Sequence, residues 1–289
     1  MLLSTGISGL LKFGEDKAIR LVAEAGFDAI DYTLFTAFHN DAFFEGRDVE
    51  RYAREIRGKI DAAGLVCNQS HAPFEYPGEG TPEGFYRVER TIRIAGILGA
   101  EHIVVHPVNF CTDRAEKKER NLAMYRHYGE VARACGTKIA IENIEGVDKR
   151  RGICVPCGYS LAEEICDYYD TLNDPSTFCV LLDVGHSAIV GQDPQEAIRI
   201  LGHDRLRGLH IQDNDYISDQ HMMPYGYGGK LDWDEITKAL GEIDYQGYFT
   251  FECGGIQNRM DESNVHIGLK FKEQMGRYLM KKIDENRPK

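Results

Sequence analysis

The sequence predicts a single (β/α)8 TIM barrel covering residues 1–289, on three observations. Eight short, β-branched apolar runs recur along the chain, at 2–8, 27–32, 65–70, 102–106, 138–142, 178–183, 207–211 and 248–252. Each is followed by a stretch long enough for a helix, the β-then-α alternation of a parallel sheet wrapped by helices. Four of the runs close on a side chain that can hold a metal: Ile139-Ala-Ile-Glu142, Phe178-Cys-Val-Leu-Leu-Asp183, Leu206-Arg-Gly-Leu-His210 and Tyr248-Phe-Thr-Phe-Glu252. A parallel barrel brings the carboxyl ends of its strands to one face, so these four side chains should meet there.

The runs lack strict polar alternation, as expected where helices cover the outside of a sheet. Thr81-Pro82-Glu83 and Asp193-Pro194-Gln195-Glu196 each offer an N-cap followed by proline at the first helical position. Ser160-Leu-Ala-Glu163 has the spacing of a capping box. Phe271, Met275, Leu279 and Ile283 predict one apolar stripe on a last helix docked against the barrel. The longest irregular stretch runs from Asp213 to Gly229, after the seventh strand, where a barrel builds substrate contacts. A doubly wound sheet would announce a nucleotide loop, and the chain has neither G-x-G-x-x-G after its first strand nor a P-loop.

Bulk composition narrows the function. The 289 residues suit one barrel, typically about 250 residues. A formal charge of −12 and a pI near 5.3 argue against a nucleic-acid surface, which needs a basic footprint. No run approaches the ~18 apolar residues of a membrane span, and Met-Leu-Leu-Ser-Thr-Gly lacks the features of a secretion signal, so a cytoplasmic protein is expected. Eight scattered cysteines fit a reducing compartment, and Cys154-Val-Pro-Cys157 has no second pair to complete a zinc site.

Two glutamates, an aspartate and a histidine read as ligands for a hard divalent cation. More groups fall on the same face: His71 after the third run, His106 at the end of the fourth, His186 one turn past Asp183, and Asp219 and His221 in the loop after the seventh. Taken singly, each has an ordinary explanation, such as a helix cap or a hydrogen-bonded loop histidine. Together they would repel in a dry barrel mouth unless a cation offset them. Tyr32, Phe35, Phe38, Phe74 and Tyr225 lie near strand ends and fit either core packing or a wall for a sugar ring. Lys149-Arg150-Arg151 reads as a solvated loop or a phosphate contact.

At the level of motifs the chain resembles the xylose isomerase-like barrel superfamily of sugar phosphate isomerases and epimerases, which also includes endonuclease IV. The resemblance rests on Ile141-Glu142-Asn143, Leu182-Asp183-Val-Gly-His186, Leu209-His210-Ile-Gln-Asp213-Asn-Asp215, Tyr227-Gly-Gly-Lys-Leu-Asp232-Trp233 and Phe251-Glu252, and spans essentially the whole chain. It implies one divalent ion on Glu142, Asp183, His210 and Glu252, manganese first, with cobalt, magnesium or zinc as options. It also implies a homodimer or homotetramer, and a substrate side formed by His186, His71, His106, Asp219 and His221. The ketohexose epimerases carry an arginine a few residues past the metal histidine, and Gln212 to His221 holds none. Endonuclease IV carries three zincs on residue types that match all nine positions, so more than one ion fits the set.

The resemblance implies a metal-dependent isomerase or epimerase acting on a sugar, sugar phosphate or inosose. Glu142 and Glu252 would be the catalytic pair, one removing the proton α to a carbonyl and the other returning one to the enediolate. A zinc phosphodiesterase of the endonuclease IV kind is the rival, and a dehydratase or lyase on the same metal site is chemically close.

Overall fold

The computed structural model describes residues 1–34, 48–73, 82–109 and 111–288. In chain order the strands are β1 (Leu3–Gly6), β2 (Ala29–Thr33), β3 (Val66–His71), β4 (His102–Val105), β5 (Lys138–Glu142), β6 (Gly146–Asp148), β7 (Ile153–Val155), β8 (Phe178–Asp183), β9 (Leu206–His210) and β10 (Phe249–Phe251). Eight of them form one parallel sheet, in the order β10-β1-β2-β3-β4-β5-β8-β9. The ends of that order meet: Ile211 N–H donates to Thr250 at 2.9 Å, and Glu252 N–H donates to Ile211 at 3.1 Å. The sheet is a (β/α)8 barrel, and its closing bonds lie beside His210 and Glu252.

Every predicted run contains a strand, shortened at one or both ends in most cases. The first stops at Gly6 because the chain turns there into a short 3-10 segment, Ser8–Phe13. Helices fill the gaps: α1 (Glu15–Ala25), α2 (Val49–Ala62), α3 (Pro82–Leu98), α4 (Arg114–Cys135), α5 (Ala162–Leu172), α6 (Val184–Ile189), α7 (Pro194–Arg205), α8 (Trp233–Glu242), α9 (Gly255–Asn258) and α10 (Val265–Glu285). Their starts follow capping chemistry. Asp48 accepts from Arg51 N–H at 3.0 Å, and Asp113 from Glu116 N–H at 2.8 Å. None of these helices is long and apolar enough to cross a membrane.

Three local expectations change. The capping glutamate of α5 is Glu164, which accepts from the N–H groups of Ser160 and Leu161, while the Ser160 hydroxyl donates to Ile144 O at 2.6 Å. Asp193 precedes Pro194 at the start of α7 but its side chain makes no capping bond. Thr81 lies outside the described residues. On α10 the buried stripe passes through Val265, Leu269, Lys272, Gly276, Leu279 and Ile283, and Phe271 is off it, 45% exposed. Gly276 is required there, because a Cβ would sit 2.4 Å from Leu3 of β1.

The barrel floor holds a small apolar layer of Val104, Ala140, Cys179 and Leu181. Against it lies His102, fully buried, with neither ring nitrogen hydrogen-bonded among the described residues. Gly208 makes room for this ring, since a Cβ there would come within 2.8 Å of Nε2. Burial, with the charges of His210 and Lys138 acting the same way, lowers the His102 pKa from 6.5 to about 3. Between those values the unfolded chain binds the proton and the folded chain does not, so this group removes stability as pH falls through that window. His102→Leu is expected to gain on the wild type by up to about 1.4 kcal/mol per pH unit below 6.5. Urea unfolding of both proteins at neutral and mildly acid pH measures this, and a pH-independent difference would contradict it.

Candidate metal centre and active site

The strand register sets the site. His71, Glu142, Asp183 and His210 are the last residues of β3, β5, β8 and β9, and His106 and Glu252 follow β4 and β10 directly. All nine residues predicted from the sequence fall into three groups, the first two sharing Glu142: Glu142–Asp183–His210–Glu252, His71–His106–Glu142, and His186–Asp219–His221. Within each group one donor atom per residue lies within 4.8 Å of the others.

Distances in the four-residue group suit a cation. His210 Nδ1 lies 2.6 Å from Glu142 Oε1 and 3.2 Å from Glu252 Oε2. Adjacent donors on an octahedral ion with bonds of about 2.1 Å sit about 3 Å apart, so little movement is needed to hold one. Three carboxylates with one imidazole suit manganese, magnesium, cobalt or zinc. Glu142 turns its second oxygen to the neighbouring group, with His106 Nε2 at 2.6 Å and His71 Nε2 at 3.5 Å.

The histidines are oriented from behind. His71 Nδ1–H donates to Ala72 O at 2.7 Å, His186 Nδ1–H to Asn143 O at 2.9 Å, and His221 Nδ1–H to Glu252 O at 2.7 Å. Such bonds fix the ring's orientation and turn Nε2 into the site, the arrangement usual behind metal-binding imidazoles. His221 Nε2 meets Asp219 at 2.8 Å, and His186 Nε2 lies 3.7 Å from the same carboxylate.

Electrostatics separates the two glutamates. Burial would raise Glu142, but His210 and His106 hold it well below the usual carboxylate range. Glu252 goes the other way, raised by burial in spite of His210 and His221. Burial depresses imidazoles, yet Glu252 and Glu142 hold His210 at about 10. Asp219 and Glu252 do the same for His221. Burial brings His106 down to about 4.

Sequence reading missed the residues that position these groups. Asn143 accepts from Asp183 N–H at 2.8 Å and donates to Asp183 O at 3.0 Å. Asp183 itself caps α6, its Oδ1 taking His186 N–H at 2.8 Å. Gln212, fully buried, donates to Asp183 Oδ2 at 3.2 Å and Asp219 at 2.7 Å, and accepts from His221 N–H at 3.0 Å. It ties the loop after β9 to the barrel.

Asp213 organises the rest of that loop, accepting from Lys230 N–H at 3.0 Å, Leu231 N–H at 3.2 Å and the Trp233 indole at 2.7 Å. Gly229 must lack a Cβ, which would lie 2.5 Å from the Asp213 carboxylate. The loop stores backbone strain at Tyr216, His221 and Tyr225, with φ of 66°, 47° and 60°. Asp213→Ala leaves two buried donors, Leu231 N–H and the Trp233 indole, without their acceptor and is expected to cost on the order of 3 kcal/mol in urea unfolding. A loss below about 0.5 kcal/mol, the range of neutral surface changes, would contradict this role.

A cavity of about 180 Å³ opens above the centre, lined by His71, His106, Glu142, Ile144, Glu145, His186, Asp219, His221 and Glu252. Glu145, which sequence reading did not single out, lies with Oε2 3.9 Å from His186 Nε2. No lysine or arginine is among these described lining residues. The 149–151 run is exposed in the turn of the β6–β7 hairpin, and Arg151 is engaged by Asp148 at 2.7 Å. Tyr32 is a packing residue, buried with its hydroxyl 2.8 Å from that of Tyr52. Tyr225 is half exposed, and Phe35, Phe38 and Phe74 lie outside the described residues. A larger groove between α3 and α4 is lined by Pro82, Phe85 and Met124 among others and holds no ligand cluster among the described residues.

Residues 19–271 match the sequence profile of the xylose isomerase-like TIM barrel. Among characterised relatives, D-psicose 3-epimerase of Enterocloster bolteae is 29% identical over 175 residues, covering 59% of this chain and 52% of that protein. An uncharacterised protein of Sinorhizobium fredii is 27% identical over 206 residues, covering 66% of this chain and 61% of the relative. The matched regions thus span between half and two thirds of these relatives' own lengths. In three dimensions the chain is similar to a D-psicose 3-epimerase crystallised in the presence of D-fructose, at TM-score 0.73 and 17% identity, covering 97% of this chain and 99% of the other. It is similar too to the IolI protein with a bound zinc atom, at TM-score 0.74 and 16% identity over the full length of both chains.

Proposed function

Because this chain belongs to the xylose isomerase-like TIM barrel family, we propose that it is a divalent-metal-dependent isomerase or epimerase of a polyhydroxy carbonyl compound. One observation carries this reading: donor atoms of Glu142, Asp183, His210 and Glu252 converge within 4.8 Å at the strand ends, under a cavity that accepts a small polar molecule. When bound there, a divalent cation supplies Lewis acidity for a carbonyl and its neighbouring hydroxyl as negative charge develops. Glu142, held ionised by His106 and His210, is placed to accept the proton α to the carbonyl. Glu252, whose proton affinity burial raises, is placed to return a proton to the enediolate from the other side. His186 is held charged by Asp183 and Asp219 against the effect of burial, so its Nε2–H can donate to a substrate oxygen.

The lining supports an uncharged sugar over a phosphate ester. Four carboxylates face the cavity, from Glu142, Glu145, Asp219 and Glu252, and the described lining residues include no permanent cation to receive a phosphate. Carboxylates accept hydroxyl donors well and repel anions.

A second reading has one specific observation in its favour. Glu142 belongs to two ligand groups through its two oxygens, and His186–Asp219–His221 forms a third, an arrangement that accommodates more than one ion. That would suit a zinc phosphodiesterase. The two readings part in one experiment: bound metal counted per chain, alongside solvent-deuterium exchange into ketoses, inososes and sugar phosphates and a nicking assay on abasic DNA. The isomerase reading expects exchange into an unphosphorylated sugar. Enzymatic nicking of DNA without exchange into any sugar would overturn it.

A further inference from the structure

His210 differs from the other oriented histidines in what lies behind it. His71, His186 and His221 each give Nδ1–H to a fixed backbone carbonyl, whereas His210 turns Nδ1 toward Glu142 and Glu252 and Nε2 toward a side-chain carboxamide. That group is Gln69, whose Nε2 lies 2.9 Å from His210 Nε2 and 3.2 Å from Asp31 Oδ2. Gln69 and His210 are fully buried and Asp31 is 2% exposed, so no solvent competes for these bonds.

The pairing depends on an irregularity in the sheet. Between β2 and β3 the register shifts: Ile30 pairs with Cys67, but Asp31 pairs with Gln69. Asn68 is the extra residue of a bulge, which re-aims a side chain that regular alternation would point elsewhere. Asn68 and Gln69 thus both turn inward. Asn68 accepts from Ser4 at 2.6 Å and donates to Thr250 at 3.0 Å, and Gln69 reaches His210.

We propose that Gln69, backed by Asp31, sets which ring nitrogen of His210 carries hydrogen, and is therefore a positioning residue for an ion held at Nδ1. The proposal rests on the metal-centre reading above. The Gln69 carboxamide faces Nε2, while the two glutamates face Nδ1 and keep a hydrogen there. An ion at Nδ1 needs the lone pair there, so the one hydrogen left on the ring sits on Nε2 and needs an acceptor. A carboxamide presents oxygen or nitrogen by rotation about its last bond, a choice a backbone carbonyl does not have. Asp31 is the next acceptor within reach, its Oδ2 4.0 Å from Nε2 and its Oδ1 without a hydrogen bond among the described residues.

The test is metal affinity of the metal-free, full-length chain, with Zn²⁺ and Mn²⁺ titrated separately against a chromophoric chelator. Gln69→Met, which keeps the volume and removes the hydrogen bond, is expected to weaken binding 10–100-fold. Gln69→Glu keeps an acceptor and is expected to retain affinity. A second readout needs no substitution: on Zn²⁺ addition to the wild type, ¹⁵N spectra should show His210 lose its Nδ1 hydrogen and keep the one on Nε2, and the Gln69 amide signals shift. Unchanged affinity in Gln69→Met, or Gln69 signals indifferent to Zn²⁺, would overturn the proposal. A wild type that binds neither ion would overturn the metal-centre reading itself.

Discussion

Glu252→Gln is expected to slow solvent-deuterium exchange into the true substrate by about 10²–10⁴-fold. Glutamine keeps the shape of the side chain and cannot cycle a proton. The position is sensitive because Glu252 faces the cavity while burial raises its proton affinity, which suits it to carrying a proton. Glu252 is also a proposed ligand, so metal content must be measured on the same sample. Retained metal with lost exchange isolates the proton-transfer role, and lost metal with lost exchange assigns Glu252 to binding. Exchange at the wild-type rate would sink the two-glutamate mechanism. Glu142→Gln should be harsher, because Glu142 meets His106 and His210 together and both would lose its carboxylate.

Stripping the metal is expected to have the second large effect, on activity and stability together. Lewis-acid assistance is worth several kcal/mol of barrier, so chelated protein should lose on the order of 10³ in rate and regain it on adding Mn²⁺. Removing a cation also leaves Glu142, Asp183 and Glu252 in mutual repulsion within one buried group. An ion present at about 100 times its dissociation constant contributes about 2.7 kcal/mol, so the melting temperature should fall by roughly 5–10 °C on chelation. His210 softens this loss, since the same carboxylates hold a proton on it up to about pH 10. A melting curve indifferent to chelator would argue that the carboxylates and histidines are a self-neutralising network.

The barrel was legible because its strands are dense in apolar, β-branched residues and end on groups with a chemistry of their own. Glu142, Asp183, His210 and Glu252 each close an apolar run, so strand assignment and site assignment reinforced each other. The β6–β7 hairpin was not legible, since Gly146 to Val155 carries exposed residues and a basic turn that read as a loop. The cap of α5 was misplaced by one residue because Ser160 spends its hydroxyl on Ile144. Phe271 fell off the buried stripe because apolar spacing alone did not weigh Gly276, which lets α10 approach Leu3.

The supporting residues escaped for a different reason. Gln212, Asn143 and Asp213 sit inside motifs that were noticed, but a motif does not say which partner an amide or carboxylate takes. Gln69 left no signal at all. Its inward turn depends on a bulge at Asn68, and an extra residue in one strand is invisible until the neighbouring strand is in place.

The most direct test is the number of Mn²⁺ ions held by the chelator-stripped protein after gel filtration, compared with Asp183→Ala and His210→Ala. At least one equivalent per wild-type chain, lost from both variants along with activity, is the predicted result. Full activity in a wild type that carries no divalent metal would contradict it.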